Sequence, residues 1–217
     1  MPSTVDSRPV FSRVLARAAV LEERRGGAEH RRRLLAGLRG RVIELGAGSG
    51  VSFAYYPDTV TELLAVEPEA HLRAMAQEAA AAAPVPVRVV EGVADGLPAE
   101  DASMDAGVVT AVLCSVADPA AALRELARVI RPGGELRFFE HVAARSARLA
   151  LVQRALDATV WPRLNGGCHT SRDTEAAISA AGFQIEERDR FSFRAHALAA
   201  PVAPRILGRA RRPQALR

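Results

Sequence analysis

The chain has 217 residues, 49% hydrophobic and 25% charged, with a formal net charge of +4 at pH 7. That length supports one domain with a sizeable core, and the composition is that of an ordinary globular protein. All 29 basic residues are arginine, which excludes chemistry that needs a Schiff-base or phosphate-loop lysine. No apolar run reaches the ~18 residues of a membrane span; the longest, 106–117, reads as a buried strand and its continuation. The opening MPSTVDSRPVF has no apolar signal core, so export is not expected. Two cysteines outside a secretory context point to free thiols in a reducing, cytoplasmic setting. The arginines are spread along the chain with no accompanying motif, so no nucleic-acid partner is expected.

Residues 10–38 read as helical. Val10, Phe11, Val14, Leu15 and Ala18 share a face expected to pack on the core, with a lid or membrane-surface helix as the alternative. Gly26-Gly27 interrupts, and AEHRRRLLAGL resumes as a basic helix, giving an N-terminal helical cap over 1–39 ahead of a main domain over 40–217. RVIEL then forms a first strand ending in the glycine turn GAGSG, and a helix-compatible stretch ends near YYP. TELLAVEP, VRVVEG, DAGVVTAVL and ELRFFEHV read as further strands. Between them lie the helices EAHLRAMAQEAAAAA and PAAALRELARVI, the latter stopped by RPGG. A long helical segment, the loop NGGCHTSRDT, a helix over RDTEAAISAAGF, the strand QIEERDRFSF and a final PRILGRARR complete the chain. Strands alternating with helices imply βαβ units. The expected fold is α/β and Rossmann-like: a doubly wound, mostly parallel seven-stranded sheet with N-terminal helices.

Ligands of such sheets bind at the carboxyl ends of the strands, where strand order reverses. The first strand ends there in Glu44-Leu45-Gly46-Ala47-Gly48-Ser49-Gly50. A dinucleotide fingerprint needs glycine at the position held by Val51, so this is G-x-G-x-G instead. Glu67 ends the second strand, where a carboxylate can accept hydrogen bonds from a ribose diol and would repel a 2′-phosphate. A nucleoside cofactor without phosphates to cradle fits both features.

VIELGAGSG, AVEP, LPAEDASMDAGVVT and LRELARVIRPGGELRFFEH resemble the successive motifs of class I S-adenosylmethionine-dependent methyltransferases, over about residues 40–142. The resemblance implies that Glu44, Gly46, Ala47, Gly48 and Gly50 lie against the methionine and ribose parts of S-adenosyl-L-methionine. It implies that Glu67 holds the ribose and that Pro68 and Leu72 pack by the adenine. Where many relatives read G-D-A after strand 3, this chain has Gly92-Val93-Ala94-Asp95. Either Asp95 meets the adenine amino group, or the backbone of Val93 and Ala94 does. Thr110 to Leu113 would line the floor under the cofactor. VLCSV, EHV, Gln153, Trp161 and GGCH..RDT narrow the resemblance to a methyltransferase-like subgroup regarded as alkyl thiol methyltransferases, with small bacterial relatives. Animal members carry an N-terminal hydrophobic anchor with no counterpart in this sequence, so membrane attachment is not expected.

A sulfonium methyl is already activated, so the enzyme mainly aligns a nucleophile in line with it. A thiol needs modest help to ionise, an alcohol or phenol more. His141, just past strand 5, is a candidate acid–base group; Glu140 either orients its imidazole or faces solvent. Covalent catalysis by Cys168 is unnecessary with such a donor, so Cys168 and His169 are expected to wall the acceptor pocket. Thr170 or Ser171 is expected to cap the helix that starts near Arg172. Cys114, His141, Cys168 and His169 could be assembled into a Cys₂His₂ metal set. Structural zinc usually draws on close C-x₂₋₄-C pairs, absent here, so no metal is expected, nor a Cys114–Cys168 disulfide.

The expectation is a cytoplasmic methyltransferase acting on a small-molecule acceptor, with a thiol among the candidates. The alternatives are a nicotinamide-dependent oxidoreductase, disfavoured by Val51 and the missing lysine, and a non-catalytic cofactor-binding module. The apolar, basic tail over 195–217 could meet the sheet or a partner.

Overall fold

The computed structural model describes residues 9–194 and 197–214. Helix α1 (Pro9–Glu22) passes through one wide turn, Glu23–Gly27, into α2 (Ala28–Leu35). The interruption falls where the glycine pair predicts it, with Gly26 at φ +111. Strands and helices then alternate: β1 (Gly40–Leu45), β2 (Val60–Val66), α3 (Ala70–Ala80), β3 (Val87–Val90), β4 (Met104–Thr110), α4 (Pro119–Val129) and β5 (Ile130–His141). Helices α5 (Ala147–Asp157), α6 (Trp161–Leu164) and α7 (Thr174–Ala180) precede β6 (Gln184–Ser192) and β7 (Pro204–Arg211).

The seven strands form one sheet in the order β3-β2-β1-β4-β5-β7-β6. It is parallel from β3 to β5, with β7 antiparallel to both β5 and β6. This is the Rossmann-like, mostly parallel arrangement the alternation implies, and it puts the strand-order reversal between β1 and β4. Side chains alternate across β1. Ile43 and Leu45 face the layer built by Leu123, Leu126 and Ile178 of α4 and α7, while Val42 faces Leu34, Leu35 and Ala76 of α2 and α3. PRILGRARR is thus an interior strand of the sheet; residues 195–196 and 215–217 of the tail lie outside the described residues.

Three local readings change. The stretch after the glycine loop holds only a short 3₁₀ turn, Phe53–Tyr55. Its glycine, serine and aromatic residues are weak helix formers, and Pro57 keeps Tyr56 extended. Phe53 and Tyr56 are instead buried as core anchors. Among the described side chains of α1 the buried ones are Ser12 and Ala16, whereas Val14, Leu15 and Ala18 are exposed; the side chains of Val10 and Phe11 lie outside the described residues. The small side chains let α1 lie close to α3, and the Ser12 hydroxyl bonds Glu69, the N-cap of α3. Helix α7 is capped by Asp173, whose Oδ1 accepts the Ala176 N–H at 3.0 Å, and not by Thr170 or Ser171. Strand β5 pairs regularly with β4 from Glu135 onward, as ELRFFEHV predicts, with Ile130 added opposite Met104 across a bulge.

Candidate active site

At the carboxyl end of β1, Gly46, Gly48 and Gly50 all have positive φ, but for different neighbours. A Cβ on Gly46 would fall 2.5 Å from Val112, and one on Gly50 would meet Phe53 and Ala79 below 3.0 Å. Those two glycines serve protein packing. Gly48 alone of the three faces open space, with nothing within 4 Å of the position its Cβ would take. Ala47 is buried between them.

Glu67, past the end of β2, leans over this loop. Its Oε2 accepts the Gly48 N–H at 2.8 Å and its Oε1 accepts the Glu69 N–H at 3.0 Å. Burial raises its pKa, with the two backbone donors opposing. About half of its lone-pair sites remain for other donors. Pro68 follows on the same turn, and Leu72 is buried on the first turn of α3. Past β3, Val93 pairs with Gly96 in a single antiparallel bridge; Val93 and Ala94 are partly buried, and Asp95 points to solvent. At the end of β4 the Thr110 hydroxyl is buried without a hydrogen-bond partner. Ala111 follows in the left-handed region at φ +54, a conformation non-glycine residues adopt at a cost.

Glu44 lies under the loop. It is fully buried, accepts the Tyr56 hydroxyl at 3.0 Å and is bonded by Ser52. Burial raises its pKa to about 7. Ser52 also receives Arg31 Nη1 at 3.1 Å, so α2 is tied to the glycine loop through polar side chains that periodicity does not reveal.

The left-handed turn at Ala111 aims three successive backbone N–H groups at one carboxylate. Glu140 accepts from Val112 at 2.8 Å, Leu113 at 3.1 Å and Cys114 at 3.3 Å. It neither orients an imidazole nor faces solvent, because it is fully buried on the opposite side of β5 from its neighbour His141. Burial raises its pKa to about 7 against those three donors.

His141 stands beside both cysteines. Its Nδ1 is 3.4 Å from Cys114 Sγ and 3.8 Å from Cys168 Sγ, and the three ligand-type atoms lie within 4.8 Å of one another. Both thiols are free and buried. A hydrogen bond to Cys168, together with burial, pushes the Cys114 thiol up; the same bond and the imidazole, against burial, hold the Cys168 thiol well below its ordinary range.

The loop over 165–172 is fastened on two sides. Gly166 and Gly167 take positive φ, and a Cβ on Gly167 would meet the Ser115 carbonyl at 2.8 Å. The His169 N–H donates to the Cys114 carbonyl at 2.7 Å; its ring stands outside the group formed by Cys114, His141 and Cys168. Arg172 Nη1 donates to the Leu113 and Val116 carbonyls at 2.6 and 2.7 Å. From α5, Asp157 accepts the backbone N–H and the hydroxyl of both Thr170 and Ser171. The buried Gln153 amide donates to the Val142, Thr170 and Pro201 carbonyls. Asp157 and the roles of Arg172 and Glu140 escaped the sequence reading, since each acts through a distant backbone group. Gln153, Trp161 and the Arg172 of RDT stood out beforehand, through the resemblance, but their hydrogen-bonding roles did not.

Residues 43–138 match the methyltransferase domain family. Thiol S-methyltransferase TMT1B of Mus musculus is 36% identical over 188 residues, covering 81% of this chain and 73% of that protein. The Homo sapiens protein of the same name is 33% identical over 187 residues, with 81% and 73% covered. Among solved structures, a Haloferax volcanii methyltransferase in complex with the Trm112 activator aligns with a TM-score of 0.70 at 20% identity, covering 96% of this chain and 100% of that one. A SAM-dependent methyltransferase from Thermotoga maritima aligns at 0.66 and 22% identity, over 94% and 98%. At those identities the solved structures speak for the fold. No helix among the described residues is long and apolar enough to cross a membrane. An open glycine at the end of β1, an acid at the end of β2 and an orphaned hydroxyl at the end of β4 suit a nucleoside sulfonium. They join a sequence match that spans most of the chain, and that match sets the oxidoreductase alternative aside: the chain belongs to the class I S-adenosylmethionine-dependent methyltransferases.

Proposed function

We propose that this enzyme methylates a small thiol, by direct in-line displacement from S-adenosyl-L-methionine, in a reducing cytoplasmic setting that keeps Cys114 and Cys168 as thiols. The observation that carries the reading is the grouping of Cys114, His141 and Cys168 at the carboxyl ends of β4 and β5, beside the cofactor floor. Relatives that share about a third of its residues over most of its length are named thiol S-methyltransferases.

The Gly48 backbone meets the methionine end of the cofactor, with Gly46, Ala47 and Gly50 shaping the turn and Glu44 bracing it from below. Glu67 holds the ribose, Pro68 and Leu72 flank the adenine, and the backbone of the partly buried Val93 and Ala94, rather than the exposed Asp95, supplies its edge contacts. Thr110 to Leu113 form the floor. His141, Cys168 and His169 form the acceptor side, and α2 covers the loop through Arg31. The thiolate attacks the methyl carbon along the sulfonium bond, whose electron pair returns to sulfur as S-adenosylhomocysteine leaves.

Release of S-adenosylhomocysteine, measured across a panel of small thiols, phenols and amines, tests the assignment. Turnover confined to thiols is expected; turnover confined to phenols or amines overturns it.

A further inference from the structure

Three side chains from separate elements converge: Cys114 follows β4, His141 ends β5, and Cys168 sits on the loop before α7. Each of the two sulfurs approaches the same ring nitrogen, Nδ1, at 3.4 and 3.8 Å. In a tetrahedral zinc site with Zn–S and Zn–N bonds of usual length, a sulfur and a nitrogen ligand sit about 3.5 Å apart. The two observed sulfur–nitrogen spacings are those of two edges of such a tetrahedron, and all three atoms lie within 4.8 Å of one another.

The surroundings hold these corners in place. Glu140 fixes the backbone of Cys114 through its N–H, and His169 clamps the Cys114 carbonyl to the loop that carries Cys168. The Ser115 hydroxyl lies 3.4 Å from Cys114 Sγ. Arg172, held by the Leu113 and Val116 carbonyls, places positive charge beside the two sulfurs. Metal ligands need such outer contacts to keep their aim.

We propose that Cys114, His141 and Cys168 bind a zinc ion whose fourth position takes the acceptor thiol, an inference that rests on the thiol reading above. Two thiolates and an imidazole form a borderline-soft set suited to zinc, and three protein ligands with one open position mark catalytic rather than structural sites. The thiol gives its proton to water on binding, and its sulfur coordinates the metal as thiolate. That sulfur then attacks the sulfonium methyl: the new S–CH₃ bond forms, the old one breaks, and its electron pair stays on the S-adenosylhomocysteine sulfur. The thioether product, a neutral and weaker ligand, leaves the metal.

The full chain, stripped with a chelator, is titrated with Co²⁺ as a spectroscopic probe and then with Zn²⁺. One equivalent per chain is expected, with a thiolate-to-cobalt charge-transfer band that Zn²⁺ abolishes and a visible spectrum that 2-mercaptoethanol shifts. Cys114→Ser and Cys168→Ser should each weaken the band by about half and the double serine variant should lose it, His141→Ala should bind at least tenfold more weakly, and His141→Cys should retain binding. Calorimetry with S-adenosyl-L-methionine on each variant separates a lost site from a lost fold. Substoichiometric binding, or an unchanged band in the double serine variant, overturns the site; a bound metal whose spectrum ignores thiols overturns the fourth position. Thiol methylation at full rate by the stripped chain overturns the metal and leaves the thiol reading standing. A metal-loaded chain that methylates no thiol refutes the thiol reading and leaves the ion-binding site.

Discussion

The backbone N–H of His169 donates to the carbonyl oxygen of Cys114 at 2.7 Å, and this bond brings two loops together that are far apart in sequence. It holds Cys168 against His141 without using a side chain of either partner. The region proposed as the acceptor side is therefore set by backbone geometry, and substitutions that alter that geometry should act there first.

Gly167 is the sharpest case. At φ +86 an L side chain carries a left-handed penalty of about 1–2 kcal/mol, and its Cβ would also press on the Ser115 carbonyl at 2.8 Å. Gly167→Ala should lower stability by roughly 2 kcal/mol and reduce turnover more than tenfold, with cofactor affinity unchanged. Gly182→Ala is the control, because Gly182 sits at φ +88 with nothing within 4 Å. It should show the strain in a urea melt and leave turnover alone. Equal turnover losses in the two variants would mean that the loop position does not matter.

Glu67 should matter for the cofactor. Hydrogen bonds to a charged group are worth about 1.5–3 kcal/mol, so Glu67→Ala should weaken S-adenosyl-L-methionine binding roughly ten- to a hundredfold. Glu67→Gln, which keeps an acceptor for the Gly48 N–H, should fall between the alanine variant and the parent. Titration calorimetry reads both, and an unchanged Kd in the alanine variant places the ribose elsewhere.

Glu44 gives a pH dependence of known sign. Its carboxyl is raised from 4.5 to about 7 by burial, so the folded state holds its proton more tightly than the unfolded chain. Its contribution to stability is whole below pH 4.5 and is lost as pH rises through about 7. Glu44→Gln removes that loss. Relative to the parent, the variant should gain up to roughly 3 kcal/mol between pH 4.5 and pH 8 in urea unfolding. A parent–variant difference that stays flat with pH would show that Glu44 does not titrate in this window.

Much of the fold was legible because its signals are local. Alternating strands and helices, RPGG after α4, and a glycine pair at the α1–α2 junction each act within a few residues. Helix α1 misled because Val14, Leu15 and Ala18 of its apolar face are exposed: two small residues, Ser12 and Ala16, set the approach to α3. The turn after Gly50 misled because burial of Phe53 and Tyr56 left no room for a longer helix.

By itself the sequence determined which residues gather at the end proposed to hold the cofactor. The glycine loop, the acid after β2 and the floor after β4 are each fixed by residues adjacent in the chain, and their register follows from strand alternation. The acceptor end was decided by tertiary structure alone. Cys114 and His141 are 27 residues apart, and so are His141 and Cys168. No local spacing rule for metal or catalytic groups reaches that far. Parallel pairing of β4 with β5, and a glycine loop clamped over their ends, bring the three to one point.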